Sequence, residues 1–210
     1  MVDDHQFFRS GLANWINTVP GLVCCGEADH GAAARRLAGE LKPDLLLLDL
    51  ALKGEDGLGL LKSLRKELPG LRILVMFEGD EDTYAERALR AGSLGYIMKQ
   101  ADSAEVLTAI RSTLTGELYL SRRMAMNLVR RYLQDREAMN RPGGVERLSD
   151  RELKVFELMG AGLGNREIAA RLGISAKTVD AHRESIKNKL GLASAKALRA
   201  SATQWVARPS

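Results

Sequence analysis

"LLLLDLALKGEDG", residues 45–57, sets four leucines before an aspartate and then a loop rich in glycine and acid. A carboxylate is costly to bury unless it is paired or bound to metal. Asp49 therefore marks either an exposed strand end or a carboxylate held in place for chemistry. Three more apolar runs, "GLVCCG" (21–26), "LRILVMF" (71–77) and "LGYIM" (94–98), are bounded by glycine, proline or charge. They read as buried parallel strands. "HGAAARRLAGELK", "DGLGLLKSLRKEL" and "DEDTYAERALRAG" lie between them and read as helices. Flanking helices place Phe8, Leu12, Trp15 and Ile16 on one face, and Val106, Ile110 and Leu114 four apart behind a capping Asp102.

Strand–helix alternation of this spacing predicts a doubly wound α/β parallel sheet. Ligands of such sheets bind beyond the carboxyl ends of the strands. Asp49 stands at such an end, as do Asp3 and Asp4 after "MV", Phe77 after "RILVM" and Lys99 after "GYIM". Three crowded carboxylates call for a hard divalent cation, and Mg²⁺ suits few carboxylates plus water. A carboxylate can also attack phosphorus while lysine and metal offset the charge on the phosphoryl oxygens.

The whole chain has 210 residues, 45% of them hydrophobic and 28% charged, which suits two modest domains and argues against wholesale disorder. No apolar stretch approaches the roughly 18 residues of a membrane span, and no signal peptide is visible. The only cysteines, Cys24 and Cys25, are adjacent and read as two small apolar residues of a buried strand. A reduced, soluble, cytoplasmic protein is expected. The net charge of +4 is uneven: residues 1–120 hold 13 Lys/Arg and 18 Asp/Glu, whereas residues 146–210 hold 12 and 7. A basic rear favours nucleic acid as a partner.

"VDDH", "DLALKGEDGL", "ALRAGSLGYIMK" and "GELYLS" together resemble receiver domains of two-component response regulators, over residues 1–118. The resemblance implies that Asp49 accepts a phosphoryl group from a histidine kinase. It implies that Asp4 and Asp49, with the backbone carbonyl of Ala51, hold Mg²⁺, Asp3 acting mainly through water. It gives Lys99 to the phosphoryl oxygens and makes Tyr96 the aromatic whose inward swing reports activation. Two departures stand out. Where receivers carry Thr or Ser, this chain has Phe77, which offers no hydroxyl. Under a shifted register Glu78 or Gly79 would face the site, and neither supplies one. Phe77 is expected to fill the space Tyr96 would enter, leaving Asp49 phosphorylatable with its coupling weakened or locked. The second departure is that only Met1 and Val2 precede "DD", where an interior strand of about five or six residues is expected; either the start lies upstream and the strand is truncated here, which is the expectation, or the domain is destabilised.

Residues 147–210 change grammar. "RLSDRELKVFELMGAGLG" begins with Ser149 and Glu152 at capping-box spacing, and "NREIAARLG" follows, capped by Asn165 and ended by Gly173. "ISAKTVDAHRESIKNKLG" begins at Ser175. The last two form a helix-turn-helix whose second helix enters the major groove. Val179, Ile186 and Leu190 mark its buried face. Lys177, Asp180, Ala181, Glu184, Ser185 and Asn188 point away, while His182, Arg183, Lys187 and Lys189 flank them within reach of phosphates. Lys177, Thr178, Asp180, Ala181, His182, Arg183, Glu184, Lys187 and Lys189 make the candidate DNA-binding set, Lys and Arg for grip and the short outward residues for base edges.

This segment resembles the LuxR-type helix-turn-helix, and the whole plan resembles NarL/FixJ-type regulators. That implies a homodimer on DNA at paired half-sites, supported by the last helix, with Trp205 in that dimer contact or in its own domain's core. Residues 119–146 read as a basic linker helix and an "NRPGG" tether. A phosphorylation-independent DNA-binding regulator, its receiver serving as a dimerisation or partner surface, is the competing reading. A phosphohydrolase of the haloacid-dehalogenase type wants an acid two residues after the nucleophile, and Ala51 stands there, so no enzyme is expected.

Overall fold

The computed structural model describes residues 1–138 and 144–207, in two compact units, Met1–Leu128 and Val129–Ser210. The front unit is built on three parallel strands, β1 (Leu45–Asp49), β2 (Arg72–Phe77) and β3 (Gly95–Met98), side by side in that order. Their apolar residues alternate between two covered faces, as a parallel sheet demands. Leu47, Leu74, Met76 and Ile97 point to one face. There they meet Ile16 of α1 (Gln6–Thr18) and Val106, Ala109 and Ile110 of α5 (Ser103–Thr115), with Phe8, Leu12 and Trp15 at the margin. The other face is covered by α3 (Gly57–Glu67) and α4 (Glu81–Arg90), which bury Leu58, Leu61, Leu64, Ala85 and Ala88. The remaining front helix, α2 (Gly31–Leu41), is tied to α3 through the Arg35 guanidinium, which donates to Ser63 Oγ at 2.7 Å.

The sheet corrects one sequence expectation. Residues 21–26 form no strand; only Ala28 makes an isolated bridge, to Val2, and Val2 bridges Leu48 on its other side. A strand exists only where a neighbour satisfies its backbone. Here the neighbour is Met1–Asp3: Ala28 N donates to Met1 O at 2.8 Å and Ala28 O accepts from Asp3 N at 3.0 Å, while Val2 on the other side donates to Leu47 O at 2.8 Å and accepts from Asp49 N at 2.9 Å. Val2 thus lies between Ala28 and Leu48, the interior place expected of a first strand. Cys24 is half-buried and Cys25 exposed, both free thiols outside any strand, so the buried-strand reading of the pair is also corrected.

Past Gly116, which ends α5 in the left-handed conformation, Tyr119 bridges Gly95 on the outer edge of β3. α6 (Arg122–Ala138) follows. The expected tether at 140–144 lies, apart from Gly144, outside the described residues.

The rear unit contains α7 (Asp150–Gly160), α8 (Asn165–Leu172), α9 (Ala176–Lys189) and α10 (Ala195–Val206). Ser149 and Glu152 close the expected capping box on α7. On α8 the cap is Gly164 rather than Asn165: Glu167 Oε2 reaches back to accept from Gly164 N at 2.7 Å. Gly173, at φ 62, makes the left-handed turn between α8 and α9 that a side chain would strain. Phe156, Leu153, Ile168, Val179 and Ile186 form the core, and Trp205 of α10 packs on Phe156 with ring centroids 6.0 Å apart. α7 and α10 approach so closely at Gly160 that a Cβ there would lie 2.4 Å from the carbonyl oxygen of Ala202.

Candidate functional site

The carboxyl ends of the front strands converge on Asp49. Leu48 is fully buried, and Asp49 itself is only 1% exposed, as is Asp3. Lys99, one residue past β3, sends its ammonium between them, 2.8 Å from Asp49 Oδ2 and 2.7 Å from Asp3 Oδ2. Its backbone N–H is anchored on Phe77 O at 3.0 Å, and its ammonium lies 4.9 Å from the centroid of the Phe8 ring. Asp49 Oδ1 accepts from Ala51 N at 2.9 Å. Asp4 reaches the following loop, accepting from Lys53 N at 3.3 Å.

Burial raises the pKa of Asp49, against the bonds from Lys99 and Ala51 that favour the anion. Burial works against the Lys99 ammonium too, but its bonds to Asp3 and Asp49 prevail and its pKa is raised. The pocket is therefore a buried anion cluster held together by one cation.

Asp3, Asp4, Asp49 and His5 each offer a ligand atom within 4.8 Å of the others. The donor chemistry fits a hard divalent cation. Asp4 Oδ1 is buried and accepts no hydrogen bond, and one ammonium is shared by two carboxylates. His5 was not singled out from the sequence, although it completes the "VDDH" motif; its Nδ1 lies 3.3 Å from Asp3 Oδ1 and 3.2 Å from Asp4 Oδ1.

Phe77 and Tyr96 require a correction. Phe77 does not keep Tyr96 out. Tyr96 is 0% exposed, and the two rings meet edge-on with centroids 6.5 Å apart, while Tyr84 of α4 lies 4.6 Å from Phe77 on its other side. The ring of Phe77 has instead displaced side-chain volume at residue 79, where a Cβ would fall 2.5 Å from Phe77 Cε1; glycine stands there. The Tyr96 hydroxyl is buried and makes no hydrogen bond.

In the rear unit, α9 exposes Lys177, Thr178, Asp180, Ala181, Glu184 and Asn188, and half-buries His182, Arg183, Lys187 and Lys189. Several of these are engaged within the unit. Asn165 at the start of α8 donates to Asp180 and accepts from Arg183, so one amide ties both to the neighbouring helix. Lys187 pairs with Glu184 at 2.7 Å, and Thr178 Oγ1 lies 2.8 Å from Ser175 Oγ in the cap. Ser185 faces inward, donating to Glu152 Oε1 at 2.6 Å, and Lys189 bonds Glu152 Oε2 at 2.6 Å. Burial would raise the pKa of Glu152, but Lys189, Ser185 and Ser149 together bring it down to about 2. Lys177 and Ala181 remain outward.

Among the described residues no helix is long and apolar enough to cross a membrane. The family described as response regulator receiver domain matches residues 1–111, and that of bacterial regulatory proteins, luxR family, matches residues 146–202. The chain is 35% identical over 197 residues to the oxygen regulatory protein NreC of Staphylococcus aureus, covering 92% of this chain and 91% of that one. Among solved structures, a two-component response regulator of the LuxR family from Aurantimonas sp. SI85-9A1 is 32% identical, covers 63% of this chain and 94% of its own, and gives a TM-score of 0.59. RcsB of Salmonella enterica serovar Typhimurium, solved on promoter rprA with a phosphomimetic, covers 99% and 96% at a TM-score of 0.70; at 23% identity it speaks for the fold.

Proposed function

The chain belongs to the DNA-binding response regulators of two-component systems that join a receiver domain to a LuxR-type helix-turn-helix, and on that premise we propose that Asp49 is its phosphoryl acceptor. The observation that carries the proposal is the single Lys99 ammonium set between the buried carboxylates of Asp49 and Asp3. A histidine kinase presents a phosphohistidine; an Asp49 oxygen attacks phosphorus, the O–P bond forms, the P–N bond breaks, and the imidazole leaves and takes its proton from solvent. The bond from Lys99 favours the Asp49 anion against its burial, and the ammonium can follow the new charge onto the phosphoryl oxygens. Asp3, Asp4, Asp49 and the carbonyl of Ala51 are the groups that would hold Mg²⁺, which when bound offsets phosphoryl charge. No hydroxyl stands at Phe77 to draw its loop inward, so coupling to the output cannot follow the route a Thr or Ser would provide.

At the rear, α9 lies in the major groove, and two copies of the chain occupy half-sites about one helical turn apart. Lys177 contacts phosphate rather than base. Lys177→Ala should weaken binding evenly across sequences and lower the salt slope by about one; a sequence-dependent loss would assign it to base reading instead.

Selection from random-sequence duplexes by the full chain, with and without acetyl phosphate and Mg²⁺, tests the function as a whole. Paired half-sites are expected, with affinity altered by acetyl phosphate in the wild type and unaltered in Asp49→Asn. The competing reading, a DNA binder indifferent to phosphate, is favoured by the Tyr96 ring already lying inside beside Phe77. Equal affinity of the phosphorylated and unphosphorylated wild type would select it.

A further inference from the structure

The root of α6 is fastened to the front unit at two places, the first of them against Tyr96. Tyr119 N donates to Leu94 O at 3.0 Å, and Tyr96 N donates to Tyr119 O at 3.1 Å, so the segment before α6 lies against the backbone of the buried tyrosine. Ser121 then caps α6, its Oγ accepting from Met124 N at 3.2 Å, and Met124 is buried. The second fastening is Glu81, the first residue of α4. It is 5% exposed, accepts from Ser121 Oγ at 3.0 Å and from Arg123 Nε at 3.1 Å, and lies 2.9 Å from Arg123 Nη2. A buried carboxylate held by one cation and one hydroxyl has two stable arrangements, paired inside or released to water, and a half-paired one is costly.

The segment that carries Glu81 begins at the acid pocket. Residues 77–82 read FEGDED. Phe77 O holds the backbone of Lys99, and Tyr84, one turn into α4, packs on the Phe77 ring. A phosphoryl group on Asp49 replaces the single charge of the carboxylate with about −1.5 to −2, a gain of roughly one-half to one negative charge at this place. Phe77 offers it no donor, and the residues that follow are acidic, so the new charge repels the segment where a hydroxyl would have drawn it in. Lys99, whose backbone N–H is held by Phe77 O, is at the same time recruited to the phosphoryl oxygens.

Resting on Asp49 as the phosphoryl acceptor, we propose that Glu81 is a latch that clamps the root of α6 to α4, and that phosphorylation opens the latch by pushing residues 77–81 outward. The switch runs opposite in direction to one that closes on a hydroxyl. Its output is the freedom of the helix that leads toward the DNA-binding unit.

Hydrogen exchange of the full chain, read at amides 122–128, tests this without DNA. Glu81→Ala in the absence of phosphate should speed their exchange about tenfold, and Glu81→Gln, which keeps one acceptor, should do so less. Amides of β1 should stay protected in both variants, separating release of α6 from loss of the fold. Acetyl phosphate and Mg²⁺ should give a comparable acceleration in the wild type and none in Asp49→Asn, with phosphorylation followed separately on a phosphate-affinity gel. Unchanged exchange in Glu81→Ala overturns the latch. A phosphorylated wild type whose amides 122–128 are unchanged or slowed overturns the release. A wild type that takes up no phosphoryl group overturns the release together with the Asp49 reading, and the Glu81 variants still decide the latch.

Discussion

Lys99→Ala should cost the front unit about 3–5 kcal/mol, the penalty for stripping the partner from a buried ion pair. Two carboxylates, Asp3 and Asp49, would remain 1% exposed with no ammonium between them. The Lys99 pKa is raised in the folded protein. Its contribution is therefore complete below its ordinary value and is lost only as pH rises through the raised one, so the wild-type advantage should be flat from neutral pH to pH 9. Urea unfolding followed by Trp15 fluorescence, with Trp205→Phe to silence the rear unit, measures this directly. Mg²⁺ should recover more stability in the variant than in the wild type, because a cation among the same carboxylates substitutes for the missing charge. A loss below about 1 kcal/mol, the range of exposed pairs, would show that the pocket does not depend on its ammonium.

The rear unit has its own buried anion, and Glu152→Gln is the second large effect expected. Glu152 falls from an ordinary 4.5 to about 2 because Lys189, Ser185 and Ser149 bond the carboxylate. A depressed carboxyl stabilises above its unfolded pKa and loses that contribution as pH falls through the folded one. Wild-type stability should therefore decline between about pH 4.5 and pH 2 by on the order of 3 kcal/mol from this group. Glu152→Gln should flatten that part of the profile and lower stability at pH 7, where Lys189 would face a neutral amide. Trp205 fluorescence in a Trp15→Phe background reports it, since Trp205 packs on Phe156. Parallel acid profiles for the two proteins would contradict the assignment. Lys189 is thus engaged by Glu152 within the unit, 2.6 Å from its Oε2.

Much of the front site was legible because it is written at strand ends. Apolar runs ending in Asp49 and Lys99, together with "DD" after Val2, fix which charges share an edge once a parallel sheet is inferred. The capping box at Ser149 and the left-handed Gly173 were equally local, each set by residues within one turn. What the sequence hid depends on partners. "GLVCCG" is apolar enough for a strand, but of its backbone only Gly26 O reaches Met1–Asp3, accepting from the Met1 amine at 2.8 Å, and the one bridge is made two residues on, by Ala28 to Val2. Phe77 looked too large to coexist with Tyr96, and the room it needs comes from Gly79, two residues on, where the ring lies against backbone. The amide of Asn165 holding Asp180 and Arg183, and Glu152 holding Lys189, join residues 15, 18 and 37 positions apart. Helical periodicity shows which face a residue occupies, not which neighbour will claim its charge.

The central claim is that Asp49 takes the phosphoryl group. Its most direct measurement is intact-mass analysis of the full chain after acetyl phosphate and Mg²⁺, with borohydride trapping and peptide mapping to locate the acyl phosphate. One phosphoryl group per chain on Asp49, absent from Asp49→Asn and reduced in Lys99→Ala, is the predicted result. A folded wild type that stays unmodified, or carries its phosphoryl group on another residue, would contradict it.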